Sequence, residues 1–102
     1  MNEKIYSVEE IKKILEELLV DMPVYSVILF GSYAKNQATQ ISDIDLVIDT
    51  KETLIGFKLF SLITLIEEKF GKNVDAFEKS EIIENSKIDN EIKKTGVLVY
   101  AK

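Results

Sequence analysis

The first segment of the chain carries apolar residues at intervals of three and four positions. This spacing places them on one face of a helix, and the residues concerned are Ile11, Ile14, Leu15, Leu18 and Leu19. Ser7 followed by Glu10 has the pattern of a capping box, in which the two residues satisfy each other's backbone N–H groups. The pattern therefore predicts an amphipathic helix that begins after Ser7 and is closed by Pro23.

Two strand patterns follow this helix. Residues 24–30 are apolar on both faces, which predicts a buried central strand that ends at Gly31-Ser32, before a short helix or tight loop over residues 33–38. Residues 42–49 alternate strictly, which is typical of a strand with two different faces. One face takes Ile44, Leu46 and Ile48, and the other takes Asp43, Asp45, Val47 and Asp49.

The second half of the chain predicts two helical regions and two short strands. In order these are a long helix over 52–70, a strand over 73–77, a mostly polar helical region over 80–95 that is broken near Ser86, and a last strand or docking tail over 97–100. Gly71 and Gly96 stand where the two helical regions end. The alternation predicts an α/β (α+β) fold, a small mixed sheet of three to four strands flanked by helices, in one domain spanning residues 1–102.

Charge and composition limit the classes of function that we expect for the chain. Apolar residues form 46% of the 102 positions, and the net charge is −5. The acidic balance argues against an extended nucleic-acid groove, which needs basic residues, but it allows a metal-chelated nucleotide, because the metal brings the positive charge. The N-terminal residues are charged, and no apolar run approaches the ~20 residues of a membrane span. We therefore expect a cytoplasmic protein with no membrane partner.

Cysteine and histidine are both absent from the sequence. Their absence excludes disulfides, thiolate zinc sites, thiol nucleophiles and the usual general base of neutral-pH chemistry. Catalysis would therefore rest on carboxylates, hydroxyls, lysines and metals that prefer oxygen ligands.

Two aspartates on one strand are the strongest candidates for such chemistry. Asp43 and Asp45 leave the same face, about 7 Å apart at the backbone, which suits a shared pair of Mg²⁺ ions about 4 Å apart. Asp75 falls on the next strand, where it can hold the metal that activates an attacking hydroxyl and accept the proton of that hydroxyl. Gly31 lets phosphates approach the backbone closely, and Ser32 offers a hydroxyl and an N–H.

This chemistry also predicts a topology. If Ser32 is to meet Asp43, the first two strands must run antiparallel. The long helix after the second strand permits a parallel crossover to the third, so that Asp45 and Asp75 would lie at similar depth on adjacent strands.

The segments FGSYAK (30–35) and SDIDLVI (42–48) together resemble the signature of the DNA polymerase β-like nucleotidyltransferase superfamily. That signature is a Gly-Ser pair, a spacer of about ten residues, and Asp-x-Asp inside a hydrophobic strand. Within the superfamily, the short length and the ending GVLVY (96–100) resemble the minimal nucleotidyltransferase (MNT) proteins. The resemblance covers nearly the whole chain.

The resemblance implies a nucleotidyltransferase fold and an enzyme that transfers a nucleotide from a nucleoside triphosphate, ATP by preference, to a hydroxyl, with two Mg²⁺ ions as cofactors. The residues matching the family's site are Asp43, Asp45 and Asp75 for catalysis and metal binding, with Gly31, Ser32 and Lys35 for the nucleotide. Lys35 and Asn36 stand where the family usually has arginine and glycine. Lysine keeps the charge of arginine but lacks its forked geometry for phosphate.

The resemblance also implies a partner. MNT proteins are commonly encoded beside a helical HEPN protein, and such pairs behave as antitoxin and toxin, with AMP transferred to a tyrosine of the HEPN ribonuclease. Two alternatives remain open at this point. The chain could neutralise its partner by binding alone, or it could modify a small molecule, although relatives of that second kind generally carry an additional substrate-binding domain.

Each candidate residue also has a structural interpretation. Asp43 and Asp45 alone would suit the solvated face of an edge strand, and Asp75 would suit any surface position. Asp49 shares their face but lies further along the strand, so we expect it to be solvated. Lys35 would suit an exposed position as well as a phosphate contact.

The helix over 52–70 carries more apolar residues than one face needs. The expected core stripe is Ile55, Leu59, Leu62, Ile63, Ile66 and Phe70. Leu54, Phe57, Phe60 and Leu65 fall outside that stripe. Either another helix of the chain covers them, or they form a surface for a partner or a homo-oligomer.

Overall fold

Four strands and four α-helices alternate along residues 3–102, the part of the chain that the computed structural model describes. In chain order the elements are α1 (Val8–Leu19), β1 (Ser26–Phe30), α2 (Gly31–Ala34), β2 (Ile44–Asp49), α3 (Phe57–Phe70), β3 (Val74–Glu78), a 3-10 turn (Lys79–Glu81), α4 (Lys87–Thr95) and β4 (Val97–Ala101).

The strands form one mixed sheet in the order β3-β2-β1-β4. β1 pairs antiparallel with both β2 and β4, whereas β2 and β3 run parallel because α3 provides the crossover between them. The predicted fold class, the antiparallel first pair and the parallel crossover are therefore confirmed. The last segment of the chain is a strand at the sheet edge.

One face of the sheet is the hydrophobic core. It takes the even-numbered residues of β2 and their neighbours on β1, and α1 and α3 cover it; its fully buried members include Ile11, Leu15, Val27, Leu29, Leu46, Ile48, Ile66 and Phe70. The segment before α1 is fixed to the end of α3, since the Tyr6 hydroxyl donates to the Phe70 carbonyl at 2.6 Å and the two rings meet edge to face. The side chains of β2 that remain point to the opposite face, which α4 covers in part through its packing on β1 and α2.

The starts of α1 and α4 and the end of α3 follow the local signals, whereas α2 begins at Gly31, two residues before the segment predicted over 33–38. Ser7 and Glu10 form both bonds of the capping box, Gly71 ends α3 in the left-handed region, and Ser86 caps α4 where the break was predicted. However, α3 begins at Phe57 and not near residue 52. Lys51 and Glu52 have φ of 51° and 61°, a left-handed conformation that no helix can include.

The buried carboxylate of Glu78 explains that turn. Glu78 is 1% exposed and accepts hydrogen bonds from the backbone N–H and the hydroxyl of Thr50 at 2.7 and 2.6 Å. It also accepts a bond from the N–H of Glu52 at 3.3 Å and one from the N–H of Ser80 at 2.7 Å. These bonds join the turn after β2 to the end of β3.

The apolar stripe of α3 is partly as predicted. Leu59, Leu62, Ile66 and Phe70 are buried, but Ile55 lies before the helix and is 56% exposed. Phe57 and Phe60 are 90% and 67% exposed, so the interpretation that another helix covers them is wrong. Across residues 3–102 no helix has both the length and the apolar character needed to cross a membrane.

Candidate active site

Asp45 and Asp75 lie side by side on the face of the sheet opposite the core. Asp45 of β2 is in register with Asp75 of β3 and with Phe30 of β1. Residues in register on adjacent strands point to the same face, about 4.8 Å apart between strands. Asp43 is exposed and stands one residue before β2. The topology thus places the three aspartates at one end of the sheet.

The environment of Asp45 is strongly acidic. Burial and, in decreasing order, the negative charges of Asp75, Asp43 and Glu91 together raise the pKa of its carboxyl from 3.8 to about 6. Asp45 is half-buried, whereas Asp43 and Asp75 are exposed. A cluster of carboxylates in which one resists ionisation is arranged to receive a cation.

The three aspartates suit Mg²⁺ by the chemistry of their side chains, although those side chains do not yet converge on one point. Three carboxylates from neighbouring positions offer the hard oxygen ligands that Mg²⁺ prefers. In residues 3–102, however, no three acidic side chains already converge into a group that could hold a metal. The carboxylates of Asp43 and Asp75 are exposed, so binding a metal at Asp45 would require both of them to turn toward it.

Gly31 brings the backbone against the Asp45 carboxylate. It has a φ of +73°, and a Cβ atom built on it would collide with Oδ2 of Asp45. Glycine is therefore required at position 31 for two reasons: its φ is positive, and the Asp45 carboxylate approaches its backbone closely. The strand ends at this point and the single turn of α2 begins, which places Ser32 two residues beyond Phe30, the residue in register with Asp45.

Ser32 lies in the first turn of α2 and is half-buried. The backbone N–H groups of a first turn have no partner within the helix, so this turn presents donors beside the acidic cluster. The arrangement brings Gly31 and Ser32 together with Asp45, as the motif spacing predicts.

Lys35 follows α2 and points toward α4. Its Nζ lies 3.5 Å from Oε1 of Glu91, and both side chains are more than a third exposed. Glu91 is the site residue that the sequence analysis missed, since it also raises the pKa of Asp45. It stands in a mostly polar helix with no motif around it, so only the packing of α4 on α2 shows its position.

The prediction that Asp49 is solvated is wrong. Its side chain is 23% exposed, and Oδ1 accepts a hydrogen bond from the Lys51 N–H at 3.0 Å. Oδ2 lies 3.9 Å from Nζ of Lys79. Asp49 stabilises the turn after β2 and stands apart from the other three aspartates, at the far end of the strand.

A mixed sheet that carries an Asp-x-Asp strand beside a Gly-Ser turn is the architecture of a nucleotidyltransferase. The family comparison agrees, because the profile of the nucleotidyltransferase domain matches residues 8–98. The chain belongs to the nucleotidyltransferase domain family, and the family prediction is confirmed. A nucleotide substrate follows from that membership.

Relatives at the sequence level carry a more specific name. A protein of Methanocaldococcus jannaschii, provisionally named a protein adenylyltransferase, is 38% identical over 80 residues, which are 74% of this chain and 82% of the relative. The protein adenylyltransferase MntA of Thermococcus cleftensis is 32% identical over 80 residues, which are 74% of this chain and 81% of the relative.

Solved structures share the fold. A chain of a toxin–antitoxin complex with AMP-PNP superposes with a TM-score of 0.76 at 19% identity, covering 89% of this chain and 73% of that one. A chain from a complex of the tri-AMPylated Shewanella oneidensis HEPN toxin with its MNT antitoxin gives a TM-score of 0.70 at 18% identity, covering 93% and 73%. These likenesses establish the architecture, including the mixed sheet and its flanking helices.

Proposed function

We propose that this chain is an Mg²⁺-dependent protein adenylyltransferase, which moves AMP from ATP to a tyrosine hydroxyl of a HEPN-type toxin and thereby acts as an antitoxin. The single observation that carries the proposal is the contact of the Asp45 carboxylate with Gly31, beside Asp75 in register. The names of the relatives support the protein acceptor and the adenylyl group.

The positions of the three aspartates indicate a different role for each part of the site. Asp43 and Asp45 would hold the metal ions that carry the triphosphate, and Asp75 would complete the site on the acceptor side. Bound Mg²⁺ supplies charge neutralisation for the phosphates and acidifies the attacking hydroxyl. Asp75 is exposed, so an incoming hydroxyl can reach its carboxylate and leave the proton there.

The transfer of AMP from ATP to the hydroxyl needs no further reactant. The hydroxyl oxygen attacks the α-phosphorus, the bond between the α-phosphorus and the bridging oxygen breaks, and pyrophosphate leaves with that electron pair. The proton of the hydroxyl passes to a carboxylate oxygen of Asp75. The backbone of Gly31 and Ser32 orients the phosphates, and Lys35 can exchange Glu91 for a phosphate oxygen because their ion pair is partly exposed.

The test combines the protein, labelled ATP, Mg²⁺ and a HEPN-type partner. We expect label on the partner with the wild type and with Asp21→Asn, which changes an exposed aspartate after α1. We expect no label with Asp45→Asn. Inhibition of the partner that persists in Asp45→Asn, with no label on the partner in any sample, would instead establish neutralisation by binding alone.

A further inference from the structure

A cavity of about 300 Å³ lies between the sheet and α4, on the face that carries the aspartates. Ile28 of β1 and Val47 of β2 form its floor, and Ile82 and Ile92 form the walls opposite. Val47 is two residues beyond Asp45 on the same face, so the floor begins about 7 Å from the acidic cluster along the strand. None of the roles assigned above uses this space.

Four of the five charges around the cavity are paired with one another at its rim, and Glu84 is the fifth. Lys93 lies 2.9 Å from Asp89, and Lys79 lies 3.9 Å from Asp49. The lysines are therefore compensated, and the surface left between floor and walls is formed by branched aliphatic side chains. Such a space favours an uncharged, largely apolar group, with polar atoms at the rim available for hydrogen bonds.

The size of the cavity limits its occupant. It lies between the sheet and one helix, and its volume of about 300 Å³ is at the lower limit of small-molecule sites. It can take a single ring system and cannot take a whole nucleotide. α4 also carries Glu91 beside Asp45, so the helix that closes the cavity is the helix that borders the acidic cluster.

We propose that this cavity binds the planar base of the nucleotide. The phenol ring of an acceptor tyrosine does not suit it, because the hydroxyl of that ring must reach the acidic cluster, whereas the polar rim lies toward the opposite end of β2, beside Asp49. The inference rests on the proposed function, since it places the ring beside the transfer site. The ring would lie between Val47 and Ile92, with its polar edge at the rim formed by Asp49 and Lys93.

The experiment fills the cavity from either wall and measures each reactant separately. Ile92→Phe fills it from α4, and Ile82→Phe fills it from the segment before α4, so a folding defect in one variant leaves the other informative. Ile83→Phe is the matched control, because Ile83 is 75% exposed and does not line the cavity. Circular dichroism and thermal melting verify the fold of each variant.

Binding is measured in Mg²⁺ with ATP, with inorganic tripolyphosphate and with N-acetyltyrosinamide. If the base occupies the cavity, both filling variants weaken ATP binding by about tenfold or more and leave tripolyphosphate binding unchanged. Unchanged binding of ATP together with about tenfold weaker binding of N-acetyltyrosinamide would overturn the assignment of the cavity to the base.

Unchanged binding of all three ligands in both folded variants would overturn the cavity proposal. That result leaves the proposed function standing as long as Asp45→Asn abolishes transfer. Failure of the wild type to bind Mg-ATP, or transfer that survives Asp45→Asn, would instead overturn the proposed function.

Discussion

Asp45 is the residue at which folding and chemistry have opposite requirements. Its carboxylate is half-buried against Gly31 and faces other acids, so folding disfavours its ionised form relative to the unfolded chain. A metal ion reverses that preference, because it interacts only with the charged form. The cost of keeping Asp45 ionised is therefore a cost of function.

We predict that Asp45→Asn stabilises the metal-free protein. The pKa of Asp45 rises from 3.8 to about 6, so its ionised form penalises folding fully above about pH 6 and not at all below pH 3.8. Because Asp45 is only half-buried, solvent screens part of this effect. The free energy of unfolding of the variant should therefore exceed that of the wild type by about 1–2 kcal/mol at pH 8 in EDTA and by almost nothing at pH 4. Urea unfolding at the two pH values measures this. Equal stability of variant and wild type at pH 8 would contradict the raised pKa.

The site could be predicted from sequence wherever its residues are local. Gly31 and Ser32 follow one strand, and Asp43 and Asp45 share another, so strand period and spacing suffice to bring them together. Glu91 could not be predicted, because its place depends on how α4 packs on α2. The assignment of Asp43, Asp45 and Asp75 to metal and catalysis, and of Gly31, Ser32 and Lys35 to the nucleotide, remains a prediction that the variants test.

At the scale of elements, the junction between β1 and α2 depends on Gly31. Two glycines of the chain allow its contributions to be separated, because Gly56 has a similar φ of +59° but open space where a Cβ would stand. Gly56→Ala should therefore cost only the strained positive-φ backbone (φ 59°, ψ −128°), about 1–3 kcal/mol. Gly31→Ala adds a collision with Asp45 and should cost about 1–3 kcal/mol more than Gly56→Ala, with loss of nucleotide transfer.

Thermal unfolding and transfer assays of the two alanine variants check this difference. The structure also predicts that Gly31→Ala becomes less harmful to stability in an Asp45→Gly background, where the colliding carboxylate is removed. Equal destabilisation by Gly31→Ala in both backgrounds would show that only the backbone conformation matters.

The turn between β2 and α3 depends on one carboxylate. Burial raises the pKa of Glu78, but hydrogen bonds from Thr50 and Ser80 outweigh burial and hold that pKa at about 2. Relative to an unperturbed 4.5, this makes the ionised form about 3 kcal/mol more favourable in the folded state. The stability is fully present above pH 4.5 and is lost as the pH falls toward 2.

We therefore expect Glu78→Gln to lower the free energy of unfolding by about 2–3 kcal/mol at pH 7. The deficit should shrink steadily between pH 4.5 and pH 2, since the wild type loses the same interaction there. Glu68→Gln, at an exposed position of α3, is the control and should change little. A deficit that does not vary with pH would show that packing, and not charge, makes Glu78 important.

The start of α3 shows where element prediction from sequence fails. Residues 52–56 have no proline and continue the apolar spacing, so the local pattern extends the helix through them. In the structure, hydrogen bonds to Glu78 hold the chain around Glu52 in a turn, so the helix begins later. Glu78 lies 26 residues from Glu52, so the local pattern could not show this contact. Capping signals at Ser7, Gly71 and Ser86 were predictable because each acts within a few residues.

At the scale of the molecule, the sheet topology and the hydrophobic face were predictable, whereas the surfaces left exposed were not. The antiparallel and parallel pairings followed from requiring Ser32, Asp43 and Asp75 to meet. Whether α1 or α4 would cover the outer side of α3 depended on packing angles that carry no local signal. That residues 1–102 form a single domain remains a prediction.

Phe57 and Phe60 occupy successive turns of α3 and expose 90% and 67% of their area. Because they bury little, Phe57→Asp with Phe60→Asp should change the free energy of unfolding by less than about 0.5 kcal/mol. Association is the quantity that should change, since an exposed aromatic pair contributes most when a partner desolvates it. We expect the double variant to bind a HEPN-type partner more weakly, as measured by light scattering of the mixture.

The control for charge is Lys13→Asp, an exposed position on α1 that lowers the net charge by the same two units. It should leave association intact, because it removes no apolar surface from α3. If both variants weakened the complex equally, long-range repulsion would explain the loss, and salt would restore binding. If only the phenylalanine variant weakened it, at high salt as well, the outer side of α3 would be the surface that binds the partner. Unchanged association in the double variant would exclude that surface and leave the two phenylalanines without a binding role.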